Sequence, residues 1–334
     1  MDEGVVTLAH GGGGSLMAEL LAARVLPVLG VAEAGEDAAG VGRGLLMTTD
    51  SFVVKPLVFP GSDIGRMAVY GTVNDLAMRG GWPRAMTVGL IVEEGLSLDV
   101  LDQVVASLAA AAQECGVKIV GGDTKVLEAG RGDGLYINTT GLAEVLLAER
   151  DLPSLGRARP GDAVLINGPV GEHGIAVLAA REQLGFAAEV RSDCAPLHEM
   201  ARALIEELGT GVHCLHDPTR GGLAAALNEI ALASGVGMRL EEGAIPRRAA
   251  VEAACELLGL DALQVANEGK MVAVVEEGMA ERALKVLRAD ERGREGAVIG
   301  EVTEGVAGRV ELVTELGTTR IVDMPSGELL PRIC

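Results

Sequence analysis

The chain's last four residues are Pro331-Arg332-Ile333-Cys334, so a sulfur sits at its very end. A sulfur on one covalent tether, with no chain beyond it, can enter a pocket. As the thiolate it can carry a group through a reaction. Upstream, Asp37, Asp50, Asp75 and Asp123 each stand at an element end or among glycines, alanines and threonines. Singly, each suits a cap or a turn. Together with Gly121-Gly122-Asp123-Thr124-Lys125 they suit convergence on a metal–phosphate group, because Mg²⁺ takes oxygen ligands from a few carboxylates and from substrate phosphates. His213-Cys214-Leu215-His216 offers imidazole and thiolate donors close together. Neighbours along a strand point to opposite faces, however, and no second Cys/His pair completes a zinc site. His173 in Gly171-Glu172-His173-Gly174 is within reach of a substrate role, but a capping or packing role is the one expected. His10-Gly11-Gly12-Gly13-Gly14-Ser15 is either a loop whose amides approach a ligand closely or a flexible linker.

These groups need elements to hold them. Ser15 is expected to cap an apolar helix to about Leu29, stopped by Gly30. Residues 45–50 read as a buried strand ending on Asp50. Ser62 opens a helix that carries Asn74 and Asp75 and closes at Gly80-Gly81. Ala85 to Val92 reads as a strand. From Ser97 to Cys115 the pattern is helical, with Leu101, Val104, Val105, Leu108, Ala109 and Ala112 on one face and Gly116 at its end. Strands follow at Lys118–Val120, running into the Gly-Gly-Asp-Thr-Lys stretch, and at Tyr136–Thr140.

Around 150–161 the apolar pattern lapses and Pro153, Pro160 and Gly161 appear, which places a domain boundary there. The second half opens with a strand at Ala163–Ile166 and a helix at Glu172. Helices are expected near 199–208, 223–234 and 279–288, and strands near 271–275, 298–302 and 309–313. Beyond that, Gly317, Pro325, Gly327 and Pro331 predict an extended tail outside any sheet. From Val310 to Cys334 such a chain would span on the order of 80 Å at ~3.3 Å per residue.

Composition narrows the function classes. With 334 residues the chain exceeds one core, and apolar residues at 49% suffice for two. Aromatics at 2% leave few stacking platforms, and a net charge of −20 repels a polyphosphate, so nucleic acid is not an expected partner. No apolar stretch approaches the ~20 residues that cross a bilayer. The start, Met1-Asp2-Glu3-Gly4, has no basic lead into an apolar run. Five scattered cysteines without a CxxC pair fit a reducing compartment, so a cytoplasmic location is expected.

Glu36-Asp37-Ala38-Ala39, Thr48-Thr49-Asp50-Ser51, Gly71-Thr72-Val73-Asn74-Asp75-Leu76-Ala77-Met78 and Gly121-Gly122-Asp123-Thr124-Lys125-Val126 resemble the successive ATP motifs of the aminoimidazole ribonucleotide synthetase superfamily. His216-Asp217-Pro218-Thr219-Arg220-Gly221-Gly222-Leu223 resembles the signature of its second domain. Phe59-Pro60-Gly61-Ser62-Asp63-Ile64-Gly65, Asn267-Glu268-Gly269-Lys270 and the terminal tetrapeptide are similar to its hydrogenase-maturation branch.

The resemblance implies an α+β, two-domain fold of aminoimidazole ribonucleotide synthetase type. Residues 1–150 would be an N-terminal α/β ATP-binding and dimerisation domain, 151–313 a C-terminal α/β domain, and 314–334 a mobile tail. It also implies ATP-dependent dehydration of a carbamoyl group on Cys334 to a thiocyanate, with Glu268 as base and Lys125 assisting. Asp37, Asp50, Asp75 and Asp123 would serve Mg²⁺, and with Asn74, Gly122 and Thr124 they would bind ATP. The implied partners are the carbamoyltransferase HypF, the cyanide-accepting HypC–HypD complex and a second copy of the chain. Two departures stand out. Glu36 replaces a common aspartate, and Arg66 and Tyr70 stand where lysine and histidine often occur, Arg66 keeping a charge for phosphate. The rival readings are a small-molecule kinase or synthetase of the same superfamily and a non-catalytic nucleotide-binding scaffold.

Overall fold

The computed structural model describes residues 5–31, 35–184 and 190–326. Cys334 lies outside them, as does the rest of 327–334. At the N-terminus α1 (Ser15–Leu20) and α2 (Leu26–Leu29) are joined by a π-helical turn, Leu21–Val25. Pro27 follows directly, and its missing N–H removes an ordinary helical bond. Gly30 ends the run at φ 68°, as expected, but the capping position is Gly14 and not Ser15.

The first sheet takes β1 (Ala39–Gly42), β2 (Leu45–Phe52), β5 (Gly81–Glu93), β6 (Lys118–Leu127) and β7 (Leu135–Val145) in the order β1-β2-β7-β5-β6. A two-residue ribbon, β3 (Val58–Phe59) with β4 (Ser62–Asp63), leads into α3 (Ile64–Met78). Asp63 caps α3, its carboxylate accepting from the N–H of Gly65 at 2.8 Å and of Arg66 at 3.1 Å. Every residue of α3 except Arg66 and Asp75 is buried. Ile64 and Met67 pack with Phe52, Met86 and Ile137 of the first sheet. Ala77 and Met78 pack with Leu197, Met200 and Leu204 of the second half. A helix apolar all round belongs to a core, and α3 is shared by two of them.

Helix α4 (Leu98–Glu114) is the crossover of the parallel pair β5–β6, bounded by Ser97 and Gly116 as expected. Its core stripe is narrower than predicted. Val104, Leu108, Ala111 and Ala112 are buried, while Val105 and Ala109 are exposed, because at 100° per residue they fall outside the stripe. β6 is an edge strand whose residues 118–126 are all exposed.

The second half contains β8 (Ala163–Ile166), α5 (Glu172–Arg181), α6 (His198–Leu208), β9 (Val212–His216), α7 (Gly222–Ser234) and β10 (Gly237–Glu241). It continues with α8 (Ala249–Leu258), β11 (Val272–Val275), α9 (Ala280–Ala289), β12 (Ala297–Thr303), β13 (Arg309–Val313) and β14 (Thr319–Ile321). The sheet order is β14-β13-β10-β12-β8-β11-β9. β9 and β11 are buried at every position, since α7 covers one face of the sheet and α6 and α9 the other. Neither β10 nor α8 was foreseen.

The expected exit from the sheet after Val313 is corrected. Thr319–Ile321 pairs antiparallel with β13, and Val322 is buried, its N–H donating to Val310 O at 2.9 Å and its carbonyl accepting from Asn228 at 2.9 Å. The turn at Gly317 (φ 77°) folds the chain back, so the glycine read as a mark of extension makes a hairpin.

Candidate functional site

Alternation along β2 places Thr48 and Asp50 on the face that meets α3. Gly71 lets the two elements touch, for a Cβ there would come 2.8 Å from the Phe52 ring and 3.9 Å from Asp50 Oδ2. One turn on, Asp75 Oδ2 accepts from Thr48 Oγ1 at 3.1 Å, and the same hydroxyl bonds the Asp37 carbonyl at 2.8 Å. From the second half, β9 delivers His216 and then Asp217. His216 Nδ1 lies 2.9 Å from Asp37 Oδ2, and Nε2 lies 2.8 Å from Glu229 Oε2. Asp37, His216 and Asp217 offer ligand atoms within 4.8 Å of one another. Glu268 is buried close by, on a loop interlocked with the 216–222 motif. Asn267 donates its N–H and its side-chain amide to Pro218 O, at 3.2 and 2.9 Å. Gly222, at φ 62°, has no room for a Cβ, which would lie 2.6 Å from the carbonyls of Leu263 and Val265.

This crowding has an electrostatic cost that burial makes large. Burial, then the charges of Asp217, Asp50 and Asp37, push the Asp75 carboxyl well above its usual range. Asp217 is raised to about 7, by burial and by Asp37, with His216 opposing. Burial also raises Asp50, with Arg220 opposing. Glu268 is pushed well up by burial first, then by Asp217, Asp50 and Asp193, again with Arg220 opposing. Burial alone would lower His216, but Asp37 and Glu229 hold its charged form well above the usual range. Four carboxylates around one space want a cation. The donor set is oxygen-rich, and His216 spends both nitrogens on carboxylates, so the residues fit a hard ion such as Mg²⁺ better than zinc.

Asp37, Asp50 and Asp75 are therefore brought together as expected, with Glu268 beside them. Others are not. Asp123, Thr124 and Lys125 are exposed on β6, Asp123 paired with Lys125. Asp123 is in register with Gly89, Gly89 with Asn138, and Asn138 with Ser51, so it stands three strands away from Ser51, roughly 14 Å at ~4.8 Å per strand. Gly122 is a glycine because a Cβ would collide with Val88 O of β5. Asn74, expected at the nucleotide, holds backbone instead. Its amide donates to Ala195 O at 3.1 Å and accepts from Leu197 N–H at 2.8 Å.

Glu36 acts as a staple, pairing with Arg79 at 3.3 Å and accepting from the Ser154 hydroxyl. Arg66, expected to face phosphate, lies two and a half helical turns before Asp75 and so on the opposite face of α3. There it donates to Tyr70 Oη at 3.2 Å, and Tyr70 donates to Glu114 at 2.6 Å. These three residues, with His198, Glu199 and Arg292, line a cavity of about 610 Å³ on that opposite face. His213 and Cys214 diverge as the strand reading requires, His213 to Asp162 at 2.7 Å and Cys214 into the core. His173 packs edge-on against Phe59, 5.4 Å between ring centroids.

Glu229 was not singled out from the sequence, and His216, Asp217 and Arg220 stood there only inside quoted motifs, with no part assigned beside the aspartates. His216-Asp217 directly after a buried strand was the available signal, because strand ends are where side chains converge on a cleft.

Residues 35–145 match the N-terminal domain of the AIR synthase related proteins, and residues 159–313 their C-terminal domain. The chain is 48% identical over 341 residues to the carbamoyl dehydratase HypE of Azotobacter vinelandii, covering 99% of this chain and 98% of that protein. A solved structure of hydrogenase maturation protein HypE in complex with ATP matches with TM-score 0.84 and 45% identity, covering 99% of this chain and all of that one. A second, of a HypE–HypF complex, matches with TM-score 0.85 and 45% identity, over 91% of this chain and all of that one.

Proposed function

The chain belongs to the AIR synthase related family, among its HypE carbamoyl dehydratases, and we propose how its residues perform that ATP-dependent reaction. An S-carbamoyl group on Cys334 loses water to become a thiocyanate, the precursor of the cyanide ligand of nickel–iron hydrogenase. The carbamoyl oxygen is a poor leaving group. Transfer of the γ-phosphoryl group onto it lets it depart as phosphate while ATP becomes ADP, both nitrogen protons leave, and the C≡N unit stays on sulfur.

The observation that carries this reading is the buried carboxylate group beside Glu268. Asp37, Asp50, Asp75 and Asp217 would hold Mg²⁺, which supplies neutralisation of phosphate charge when bound. Burial beside the carboxylates raises the affinity of Glu268 for protons, which suits a group that must accept one. Arg220 acts on both Asp50 and Glu268 and so is placed to meet developing phosphate charge. His216 orients Asp37, and Asn74 fixes the 195–197 backbone, whose Ala195 N–H bonds Glu268 O at 3.3 Å.

A second copy of the chain completes the site. Edge strand β6 exposes Ile119 and Val120 at 41% and 64% and Val126 at 70%, an apolar strip that a free edge does not keep in solution. Pairing through it would take Asp123, Thr124 and Lys125 out of solvent and into the nucleotide region. HypF, found with HypE in a solved complex, is the loading partner, and the HypC–HypD complex is the acceptor. The location is the cytoplasm. In support, Cys115, Cys194, Cys214 and Cys255 are free thiols, and no described helix is long and apolar enough to cross a membrane.

Intact-mass spectrometry after incubation with HypF, carbamoyl phosphate and ATP tests the reading. The chain should gain a carbamoyl group and then lose one water, and Cys334→Ala should do neither. A Cys334→Ala protein that turned over ATP on a small molecule would overturn it in favour of a kinase.

A further inference from the structure

The glycine-rich loop at the N-terminus has no part in the mechanism above, yet it lies against two things that do. Gly13, at φ 75°, packs on Arg220, where a Cβ would come 2.5 Å from Arg220 Cβ. Arg220 in turn reaches Met17, its guanidinium 3.6 Å from the sulfur. Gly14 lies on the Pro325 carbonyl, which a Cβ would strike, and the Ser15 N–H donates to that carbonyl at 3.1 Å. Pro325 is buried, and its ring approaches Gly221, since a Cβ on Gly221 would lie 3.5 Å from Pro325 Cγ. Three remote segments, 13–17, 220–221 and 325, thus meet at one point beside the residue that faces Asp50 and Glu268.

We propose that this loop is a clamp that fixes where the carrier segment leaves the body of the protein, with Gly13, Gly14 and Ser15 as positioning residues for dehydration. The proposal rests on the carbamoyl-dehydratase reading. The clamp sets both the origin of the carrier segment, through Pro325, and the placement of Arg220. Glycine at 14 is required because the Pro325 carbonyl occupies the place of its Cβ. Gly11, by contrast, has open space around its Cβ position.

The test separates three steps on full-length protein: ATP affinity by calorimetry, carbamoyl loading by intact mass, and single-turnover thiocyanate formation from loaded protein. Gly14→Ala should leave ATP affinity and loading within about twofold. It should slow dehydration on the order of tenfold to a hundredfold, the scale of an ångström-sized misplacement. Ser15→Pro removes the N–H that bonds Pro325 and sets a ring carbon against the same carbonyl, at the first helical position where proline is tolerated, and keeps the idea testable if Gly14→Ala folds poorly. It should slow dehydration in the same selective way. Gly11→Ala should match wild type in all three steps. Wild-type dehydration in both Gly14→Ala and Ser15→Pro would overturn the clamp. So would weakened ATP binding with the chemical step unchanged, which would make the loop a phosphate cradle. Failure of the underlying reading looks different, since wild type itself would then form no thiocyanate.

Discussion

Two regions carry the same chemical groups to opposite effect. In the crevice between β2, α3 and the end of β9, aspartates are packed against each other, and burial raises their affinity for protons. On β6, Asp123 is fully in solvent, and the hydrogen bond from Lys125, more than any other influence, lowers its pKa. The residue types are alike, but the dielectric surroundings are not. A carboxylate in water needs no partner, whereas four in a crevice need a cation or protons. Within one chain, then, the crevice gathers its carboxylates and the β6 strip does not. A second copy is what would change the strip's status.

The largest contrast should lie in the chemical step. Glu268→Gln keeps size and polarity but cannot take a proton, so dehydration should fall by about 10²–10⁴ while ATP binding and loading persist. Normal thiocyanate formation would place the base elsewhere. Lys125→Met tests the strip in the same assay. If it acts only across the dimer, mixing it with an inactive Glu268→Gln protein should restore activity in hybrid dimers.

Next comes cation binding. Asp75→Asn should weaken Mg·ATP by roughly 10–100-fold in calorimetry, the range typical of metal-site support. The same change relieves repulsion, so the metal-free protein should melt higher. Asp123→Asn should leave the melting temperature of dilute, monomeric protein unmoved, because its pair with Lys125 is exposed.

The pH dependence sharpens the contrast further. Asp217 takes up protons in the folded state at about 7, against 3.8 for an unperturbed aspartate. The folded state therefore binds more protons across that interval, and this group's contribution falls as pH rises from about 4 to 7. Urea midpoints of chelator-treated protein should show this decline, and Asp217→Asn should flatten it. An unchanged slope in the variant would remove Asp217 from the cluster's titration. The smallest effect is expected at the edge itself. Val120→Asp should weaken self-association in sedimentation without altering the fold, since Val120 is exposed in the single chain.

What the sequence made legible divides along the line between local and tertiary information. Ser97 and Gly116 bound α4 through local backbone rules, and Gly30 stops the N-terminal run in the same way. Asp37, Asp50 and Asp75 were readable because small residues flank aspartates that must be approached closely. The settings of Glu36 and Arg66 were not legible because motif position does not say which way a side chain turns. Arg79 and Ser154 claim the first, and Tyr70 and Glu114 the environment of the second. His216 was weighed as part of a zinc site, whereas its partners Asp37 and Glu229 lie 179 and 13 residues away. β14 was missed because three residues, Thr319-Arg320-Ile321, carry almost no periodic signal.

The buried Pro325 draws a boundary around the protein's partners. Cys334 is only the ninth residue after it, and fully extended those nine steps span at most about 30 Å, not the ~80 Å that a free tail from Val310 would allow. With the clamp closed, every reaction of Cys334 happens inside a sphere of that radius centred on Pro325. A carbamoyl donor must bring its own reacting centre within that sphere, and so must a cyanide acceptor. Two macromolecules that must enter so small a volume have overlapping landing zones, so loading and delivery compete for the same space.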